Sequence, residues 1–398
     1  ESFQDTTNKA LSGGRVLKRL SSVIERIAHS KKSRKASQKL QDVIVRDEAF
    51  ALPFLILMAQ QKYNIAYKQE TQQLKLVSNL HDMTQRTMYQ FTEFLMSSMS
   101  PVEYAKALPL PSFATICKKY RLRHVEAFDL CRPIAREALL SRWRQENKIE
   151  KWDPLSESNM KLMRELMTKD ISLSPELYAT FWTLSIADVS FPEDQYKSTI
   201  QNLRVEIEKK QKLKASLTSR SELRECSKAI SKSESALTSL REEMKAHRSS
   251  FSVVRNGLDT TKSTFGDFDS QSFLQTCLLP RLLHDAASAL YCSHFIRVLH
   301  ECEIQGFDTL DLLEKILTQL SGIVLCVTEL EANNLGVFLC ETFRMIVSWY
   351  DSSSTRFEKK SWKNENVTHS KYRKKIQALN DSFASILSEC LTESSAYM

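Results

Sequence analysis

The stretch SFLQTCLLPRLLHDAASALYCSHFIRVLH, residues 272–300, decides the fold class. Its second half is apolar around well over half of a helical circumference, which is typical of a helix surrounded by other helices. Proline at position 280 suits the first turn of a helix, because the N–H that it lacks has no intrahelical partner there. The sequence therefore predicts a short helix that ends before Pro280 and a longer buried helix that begins at it.

The composition favours helices joined by brief connections. The 398 residues include 7 Gly and 9 Pro, whereas average usage would give about 28 and about 20. Hydrophobic residues make up 42%, which is enough for a large core. The nine cysteines form no C-x-x-C pair and several lie in apolar runs, so we expect reduced structural thiols in an intracellular protein. Because the chain begins at Glu1 without a Met, we expect a piece of a longer protein.

Helix signals divide the chain into four predicted parts. Pairs of helices recur about every 40 residues before the charged middle, the spacing of HEAT-like repeats. Ser100, Pro101 and Glu103 form a strong helix start, with a capping serine, a first-turn proline and a capping-box glutamate. The predicted parts are a first helical array (1–192), a charged coiled-coil hairpin (193–257), a second helical array (258–350), and a polar linker with a terminal helix (351–398).

The charged middle of the chain has heptad spacing. Residues 194–254 nearly lack aromatic side chains, and the apolar positions of the second half recur every seven residues. The phase breaks around 210–221, where Ser219 and Glu222 begin a new helix. We predict two antiparallel helices with a tip near Thr218 and arms of roughly 30 Å. A single continuous helix is the alternative, and a polar loop over 257–269 follows in either case.

Basic residues cluster in two stretches of a chain whose net charge is +8. The first spans 9–39 and the second 356–375. Such patches contact phosphates or acidic protein surfaces, or they form solvated faces. Surfaces that stack the bases of single strands interleave more aromatic residues than the second stretch contains, and Trp362 among its lysines is the one arrangement there that is worth testing. The candidate nucleic-acid contacts are Lys359, Lys360, Trp362, Lys363, Arg373, Lys374 and Lys375.

The sequence contains no motif that indicates an enzyme. It lacks the glycine-rich phosphate loops and the G-x-S-x-G nucleophile motif. His294 and His300 lie near Cys302 but are six residues apart and point to different sides of one helix, which argues against zinc. The adjacent pairs at 81–82 and 284–285, each His-Asp, do not share a helical face and are expected at the surface. We therefore predict no catalytic residue, no cofactor and no metal.

Three stretches resemble the THO complex subunit 2 family. They are LPFLILMAQQ at 52–61, ATFWTLSIADVSFP at 179–192 and FLQTCLLPRLLHDAASALYCSHFIRVLH at 273–300. Smaller matches occur at 13–18 and 100–104, and the resemblance extends over roughly 13–350. These are packing motifs, so they identify a family and mark no site. The charged hairpin and the region after Tyr350 match less clearly.

The resemblance implies a non-enzymatic scaffold of the THO complex in the nucleus. Its implied partners are other THO subunits and the DEAD-box RNA helicase of TREX, which would carry the ATP chemistry in transcription-coupled mRNP assembly and mRNA export. It also implies an irregular HEAT/MIF4G-like α-solenoid, with the first helices ending an MIF4G-like region. RNA and a higher-order oligomer are further candidate partners, and no membrane is expected. The predicted partner edge is the basic start, Arg15, Lys18, Lys31, Lys32, Arg34 and Lys35. The alternative is an RNA-binding helical-repeat module that acts through the basic stretches.

Overall fold

The computed structural model describes residues 39, 42–43, 51–68, 73–108, 113–120, 122–146, 152–167, 172–266, 268–350 and 369–394. Regular structure within these ranges is helical, and no strand occurs in them. The predicted all-α class is therefore confirmed. The HEAT/MIF4G-like solenoid and the coiled coil remain predictions.

The helix that follows Ser100 begins at its predicted local signal. Ser100 accepts a hydrogen bond from the Glu103 N–H at 3.3 Å, and the Glu103 carboxylate accepts one from the Ser100 N–H at 2.8 Å. This is the predicted capping box. The helices are α1 (Ala51–Lys68), α2 (Leu74–Ser98), α3 (Pro101–Ala107), α4 (Phe113–Lys118), α5 (His124–Trp143), α6 (Glu157–Leu166), α7 (Pro175–Thr183) and α8 (Ile186–Val189).

The second part of the fold begins with two long helices and continues with a buried set. The helices are α9 (Glu193–Ser216), α10 (Arg220–Thr261), α11 (Ser270–Phe273), α12 (Leu279–Leu282), α13 (Ala286–Glu301), α14 (Thr309–Cys326), α15 (Glu329–Tyr350) and α16 (His369–Ser394). A 3₁₀ turn follows α10 and a π-helical turn, Leu274–Leu278, joins α11 to α12.

The predicted helix boundary at Pro280 is wrong. The chain stays helical through Pro280, the second residue of α12, and α12 follows the π-helical turn directly. A π-turn is one of the ways in which a helix accommodates a local irregularity. The long helix starts instead at Ala286, where the Asp285 carboxylate accepts a hydrogen bond from the Ser288 N–H at 2.9 Å. A side-chain cap therefore defines the start that the sequence assigned to proline.

Within the described residues, one continuous hydrophobic core joins helices before α9 and α10 to helices after them. Phe181 in α7 is fully buried, and its ring lies 5.1–5.4 Å from aromatic rings of the later helices. Edge-on and tilted pairs at such distances add to the burial energy. Those later rings are Phe273, Tyr291 and Phe295. The opening stretch thus packs directly on the ATFW segment.

Arg281 lies inside this core and connects the same two regions. Its guanidinium stacks on the Tyr291 ring, 3.6 Å from the centroid, and donates to the carbonyl oxygens of Phe181 and Leu184, the latter at 2.6 Å. These carbonyls lie at the C-terminal end of α7, where carbonyls lack intrahelical partners, and that of Phe181 also accepts from the Tyr291 hydroxyl at 2.8 Å. Burial lowers the pKa of Arg281 to about 10. Its charge is therefore retained at neutral pH.

The predicted polar loop over 257–269 is wrong in its first half. Helix α10 continues to Thr261, and the Gly257 backbone lies against the Trp143 indole of α5. Phe265 and Phe268 are buried after the helix ends. The missing side chain of Gly257 permits this close approach, which local sequence does not reveal because Gly usually disfavours helices.

Candidate docking surface on the helical hairpin

Helices α9 and α10 run antiparallel and turn back at residues 217–219. Three contacts between the helices show that they are antiparallel, because the residue number of the α10 partner falls as the residue number along α9 rises. Glu193 pairs with Arg248 at 2.5 Å, and the Tyr196 hydroxyl lies 3.1 Å from Nδ1 of His247. Nearer the tip, Lys210 donates to Ser233, also at 3.1 Å. The single continuous helix is therefore excluded, and the predicted tip at Thr218 is confirmed.

The two helices bury a narrow apolar seam. Tyr196, Ile200 and Leu240 form a small separate cluster, with Leu237 and Met244 packed partly against it. The cations near the tip are exposed, apart from Lys210. Because most of each helix faces solvent, the pair offers long surfaces that the described part of the chain leaves uncovered.

A ring of aromatic and polar groups holds the base of the hairpin on the array. The imidazole of His247 donates from Nε2 to the Ala187 carbonyl at 2.8 Å and accepts at Nδ1 from Tyr196. The Phe191 ring meets this imidazole edge-on, with centroids 5.1 Å apart. Burial lowers the pKa of His247, in agreement with a neutral ring that donates from one nitrogen and accepts at the other.

A charged pair reinforces the same base. The Arg136 guanidinium of α5 donates to the Asp188 carboxylate of α8, and also to the Ser250 hydroxyl of α10 at 3.2 Å. Three helices therefore meet at one arginine. Burial alone would raise the pKa of Asp188, but the Arg136 guanidinium more than offsets this and keeps it below its usual range.

A groove of about 730 Å³ runs between the two helices just beyond this base. Each helix contributes four residues at the same i, i+3, i+4, i+7 spacing, which places them on one helical face. Helix α9 contributes Lys197, Ile200, Gln201 and Arg204, and helix α10 contributes Arg241, Met244, Lys245 and Arg248. We call this surface the basic groove. Its lining has an apolar floor, five cations and no carboxylate.

The five cations of the basic groove are not equally compensated. Lys197 and Arg248 both contact Glu193, at 2.9 and 2.5 Å, and they hold the pKa of this carboxyl below its usual range. Arg204, Arg241 and Lys245 are exposed and form no ion pair within the residues that the structure describes. The groove therefore carries positive potential along most of its length.

The basic groove was missed by reasoning from the sequence. Its signal is visible there, since a cation, an apolar residue, a polar or basic residue and a cation recur at one spacing from position 197 and again from position 241. What the sequence does not reveal is which of several faces each helix turns outward. That depends on the register in which α9 and α10 pair.

The predicted site residues lie mostly outside the described part of the chain. This applies to the whole basic start, Arg15, Lys18, Lys31, Lys32, Arg34 and Lys35, and to Lys359, Lys360, Trp362 and Lys363 of the second stretch. Arg373, Lys374 and Lys375 are exposed on α16. Arg373 lies over the Tyr350 ring at 4.3 Å and donates to its hydroxyl at 3.2 Å.

The expected surface position of the two His-Asp pairs is wrong. Asp82 is buried and accepts from the Thr328 hydroxyl at 2.7 Å and the Leu330 N–H at 3.1 Å. His284 is buried between Asp129 and Gln85. At both sites the buried residue contacts helices that are distant in sequence. Neighbouring residues in the sequence do not reveal such contacts, which is why the surface prediction failed.

The remaining histidines near the core have separate partners. His294 lies 3.5 Å from a Glu341 carboxylate oxygen, whereas Nδ1 of His300 lies 2.8 Å from the Thr309 hydroxyl and its ring stacks on Trp349. Among the described residues, no group of three or more His, Cys, Asp and Glu has the arrangement of a metal site. In the same ranges, no helix has both the length and the apolar character needed to cross a membrane.

Known proteins are similar to this chain over most of its length. The family Tho2, described as transcription factor/nuclear export subunit protein 2, matches residues 170–398. THO complex subunit 2 of Homo sapiens is 28% identical over 369 residues, which cover 87% of this chain and 22% of that protein. The Dasypus novemcinctus protein of the same name is 28% identical over 379 residues, with the same shares. That of Arabidopsis thaliana is 25% identical over 391 residues, covering 89% and 21%.

The chain spans about a fifth of the length of the curated relatives it matches. The match to the family includes the ATFW segment, the hairpin and the opening stretch, so packing residues and the basic groove lie within it. The resemblance inferred from the three apolar stretches is confirmed. Because the family's matched region is more than half of the sequence, the chain belongs to the Tho2 family, transcription factor/nuclear export subunit protein 2.

Proposed function

We propose that the chain is part of a structural scaffold subunit of a THO complex in the nucleus. The scaffold organises the other subunits and positions a DEAD-box RNA helicase within TREX for co-transcriptional mRNP assembly and mRNA export. Membership in the Tho2 family carries this proposal, because relatives of that name are THO complex subunits. Any ATP hydrolysis belongs to the helicase and not to this chain.

The architecture proposed for this role is an irregular HEAT/MIF4G-like solenoid with an inserted coiled-coil hairpin. The first array, 1–192, and the second, 258–350, form the solenoid, and the hairpin, 193–257, is a docking arm. The contacts of Arg136 and His247 with the hairpin base support a fixed orientation of this arm. A rigidly held pair of helices with uncovered faces suits the binding of partner helices.

Removal of the arm tests the docking role. Deletion of 194–254 would also remove Val254, which is fully buried in the array. A better variant of the full-length protein replaces 199–244 with a short Gly-Ser linker and keeps the Tyr196–His247 contact at the base. We expect this variant to fold and to lose at least one THO subunit or the helicase in a pull-down from purified components. Retention of all of them would contradict the docking role.

The RNA-binding alternative is supported by one observation, the adjacent exposed cations Arg373, Lys374 and Lys375 on α16. Affinity for RNA through such residues falls steeply with salt. Reversal of all three to Glu is expected to abolish RNA binding if this alternative is correct. The matched test at the basic start reverses Lys31, Lys32, Arg34 and Lys35. If helicase association is lost there while RNA binding is unchanged, the start is a partner edge.

A further inference from the structure

We propose that the basic groove binds an acidic amphipathic helix of a partner protein, an inference that rests on the proposed docking role of the hairpin. The juxtaposition that carries it is half-buried Met244, beside the buried Ile200 of the seam, between rows of cations from α9 and α10. The occupant lies along the hairpin as a third helix. It presents apolar residues to the floor and carboxylates to both rims.

The dimensions of the groove suit a helix. Each wall spans eight residues, from Lys197 to Arg204 and from Arg241 to Arg248, and the seven rises between its ends cover about 10 Å at 1.5 Å per residue. This is two helical turns. A partner helix with apolar side chains at i, i+3 or i+4 and i+7 packs them on half-buried Met244 and on the aliphatic stems of the flanking cations, above the buried Ile200.

The exposed cations of the basic groove favour a negatively charged partner. Arg204, Arg241 and Lys245 are exposed and without an ion pair among the described residues, so an approaching carboxylate need not displace an existing one. At the base, Glu193 already accepts from Lys197 and Arg248. The partner's acidic residues are therefore expected to concentrate on the part of its helix that lies toward the hairpin tip. Complementary charges of this kind steer association and fix orientation.

A protein helix fits this surface better than a nucleic acid. The groove lining contains no aromatic side chain on which bases could stack, and its floor is apolar. An apolar floor with basic rims instead complements an amphipathic helix with an acidic face. RNA binding at the groove is therefore an outcome that would overturn the proposal.

Charge exchange on the full chain tests the groove. The probe is a capped synthetic peptide of about 14 residues, or four turns, with Leu along one face and Glu on both flanks. The variant R204E/R241E reverses two uncompensated rim cations. The matched control K228E/K232E makes the same charge change at exposed positions of α10 outside the groove. Circular dichroism melting checks that both variants are folded.

The expected result has three parts. The peptide binds the unaltered chain, and it binds R204E/R241E at least roughly tenfold more weakly. It binds K228E/K232E with unchanged affinity. A second peptide with Lys in place of Glu regains affinity for R204E/R241E only. Equal binding of the acidic peptide to both variants overturns the proposal, and so does loss of single-stranded RNA binding in R204E/R241E with no peptide binding by the unaltered chain.

A crosslinking experiment extends the test to the assembled complex. A photo-crosslinking residue at Gln201 lies in the groove, and one at Ser239 lies on an exposed part of α10 outside its lining. We expect Gln201 alone to crosslink to a segment rich in Glu or Asp with helical apolar spacing. Crosslinks from Gln201 only to segments without that pattern overturn the groove. Partner loss on replacement of 199–244 would still support the docking role, so the two proposals fail separately.

Discussion

The Arg136 guanidinium holds the Asp188 carboxylate through a bifurcated hydrogen bond from its Nε–H, with Nε 2.8 Å from each oxygen. The two residues are 52 positions apart, and the Asp188 side chain is completely buried. Through Ser250, the same arginine reaches the base of the hairpin. A long charged pair of helices is therefore fixed to the array by a buried charge and not by apolar packing alone.

Removal of the charge at Asp188 is expected to destabilise this junction strongly. In Asp188→Asn the Arg136 guanidinium loses its carboxylate in a buried site, and breaking such a pair costs about 3–5 kcal/mol. Urea unfolding measures the loss. The control is Glu165→Gln, which removes an exposed partner of Lys118 and should cost less than about 1 kcal/mol. Equal losses in the two variants would mean that the pair is not a specific anchor.

In the buried cluster around Glu126, replacement of the carboxylate is expected to cost more stability than replacement of its lysine partner. Glu126 accepts from Lys62 at 3.1 Å and from Nε of Arg123 at 3.0 Å. Glu126→Gln leaves the buried Lys62 ammonium without a carboxylate and should cost about 3–5 kcal/mol. Lys62→Met leaves Glu126 paired with Arg123 and should cost about 1–2 kcal/mol. Comparison of their urea midpoints checks the order, and a reversed order would contradict it.

The same carboxylate makes stability depend on pH. Burial would raise the pKa of Glu126, but the charges of Lys62 and Arg123 lower it to about 2 from an ordinary 4.5. A lowered pKa contributes stability that is present above the unfolded value and is lost as the pH falls from about 4.5 toward 2. We expect the unaltered chain to lose stability more steeply over this window than Glu126→Gln does. Parallel urea titrations at several pH values measure the difference.

Helix starts were predictable where one local motif determines them. The capping box at Ser100 needs only residues three positions apart, and both of its hydrogen bonds form. Pro280 offers an equally local signal, but the cap at Asp285 defines the start of the long helix. Proline is compatible with both arrangements, so the choice depends on how the preceding turn packs. The sequence therefore predicted the pair of helices and misplaced their boundary by a few residues.

Contacts between distant residues were not predictable from local patterns. The heptads in 194–254 indicate two paired helices, because the apolar spacing is a property of each helix alone. The basic groove needs the register of that pairing, which joins residues such as Arg204 and Arg241 on different helices. The burial of His284 likewise depends on Asp129, 155 positions away. Neither arrangement leaves a signature within one helical turn.

Glycine substitutions distinguish a packing contact from helix propensity. A Cβ added at Gly257 would overlap the Trp143 indole, whereas one added at Gly336 meets nothing within 4 Å. Both glycines lie in helices, where Ala is normally favoured by roughly 0.5–1 kcal/mol. We expect Gly336→Ala to stabilise the chain by that amount. Gly257→Ala should destabilise it by about 1–3 kcal/mol because of overpacking. Thermal melts of the two variants give the signs, and stabilisation of Gly257→Ala would contradict the contact.

Because the core is shared, a cavity in the opening stretch is expected to destabilise helices on both sides of the hairpin. Leu290 is 1% exposed, and the core that contains it includes Phe181 before the hairpin and Phe338 after it. Leu290→Ala should cost about 2–5 kcal/mol, since it leaves a cavity in that core. Leu325→Ala is the control, because this side chain is 55% exposed and should change stability by less than about 0.5 kcal/mol.

Hydrogen exchange shows how far the damage at Leu290 extends. If helices on both sides of the hairpin unfold as one cooperative unit, amide exchange in α7 and α15 should accelerate by the same factor in Leu290→Ala. The reason is that Phe181 of α7 and Phe338 of α15 belong to one continuous set of buried side chains. Faster exchange in α15 alone would instead mean that the second array opens independently, as a division at the hairpin into separate domains requires.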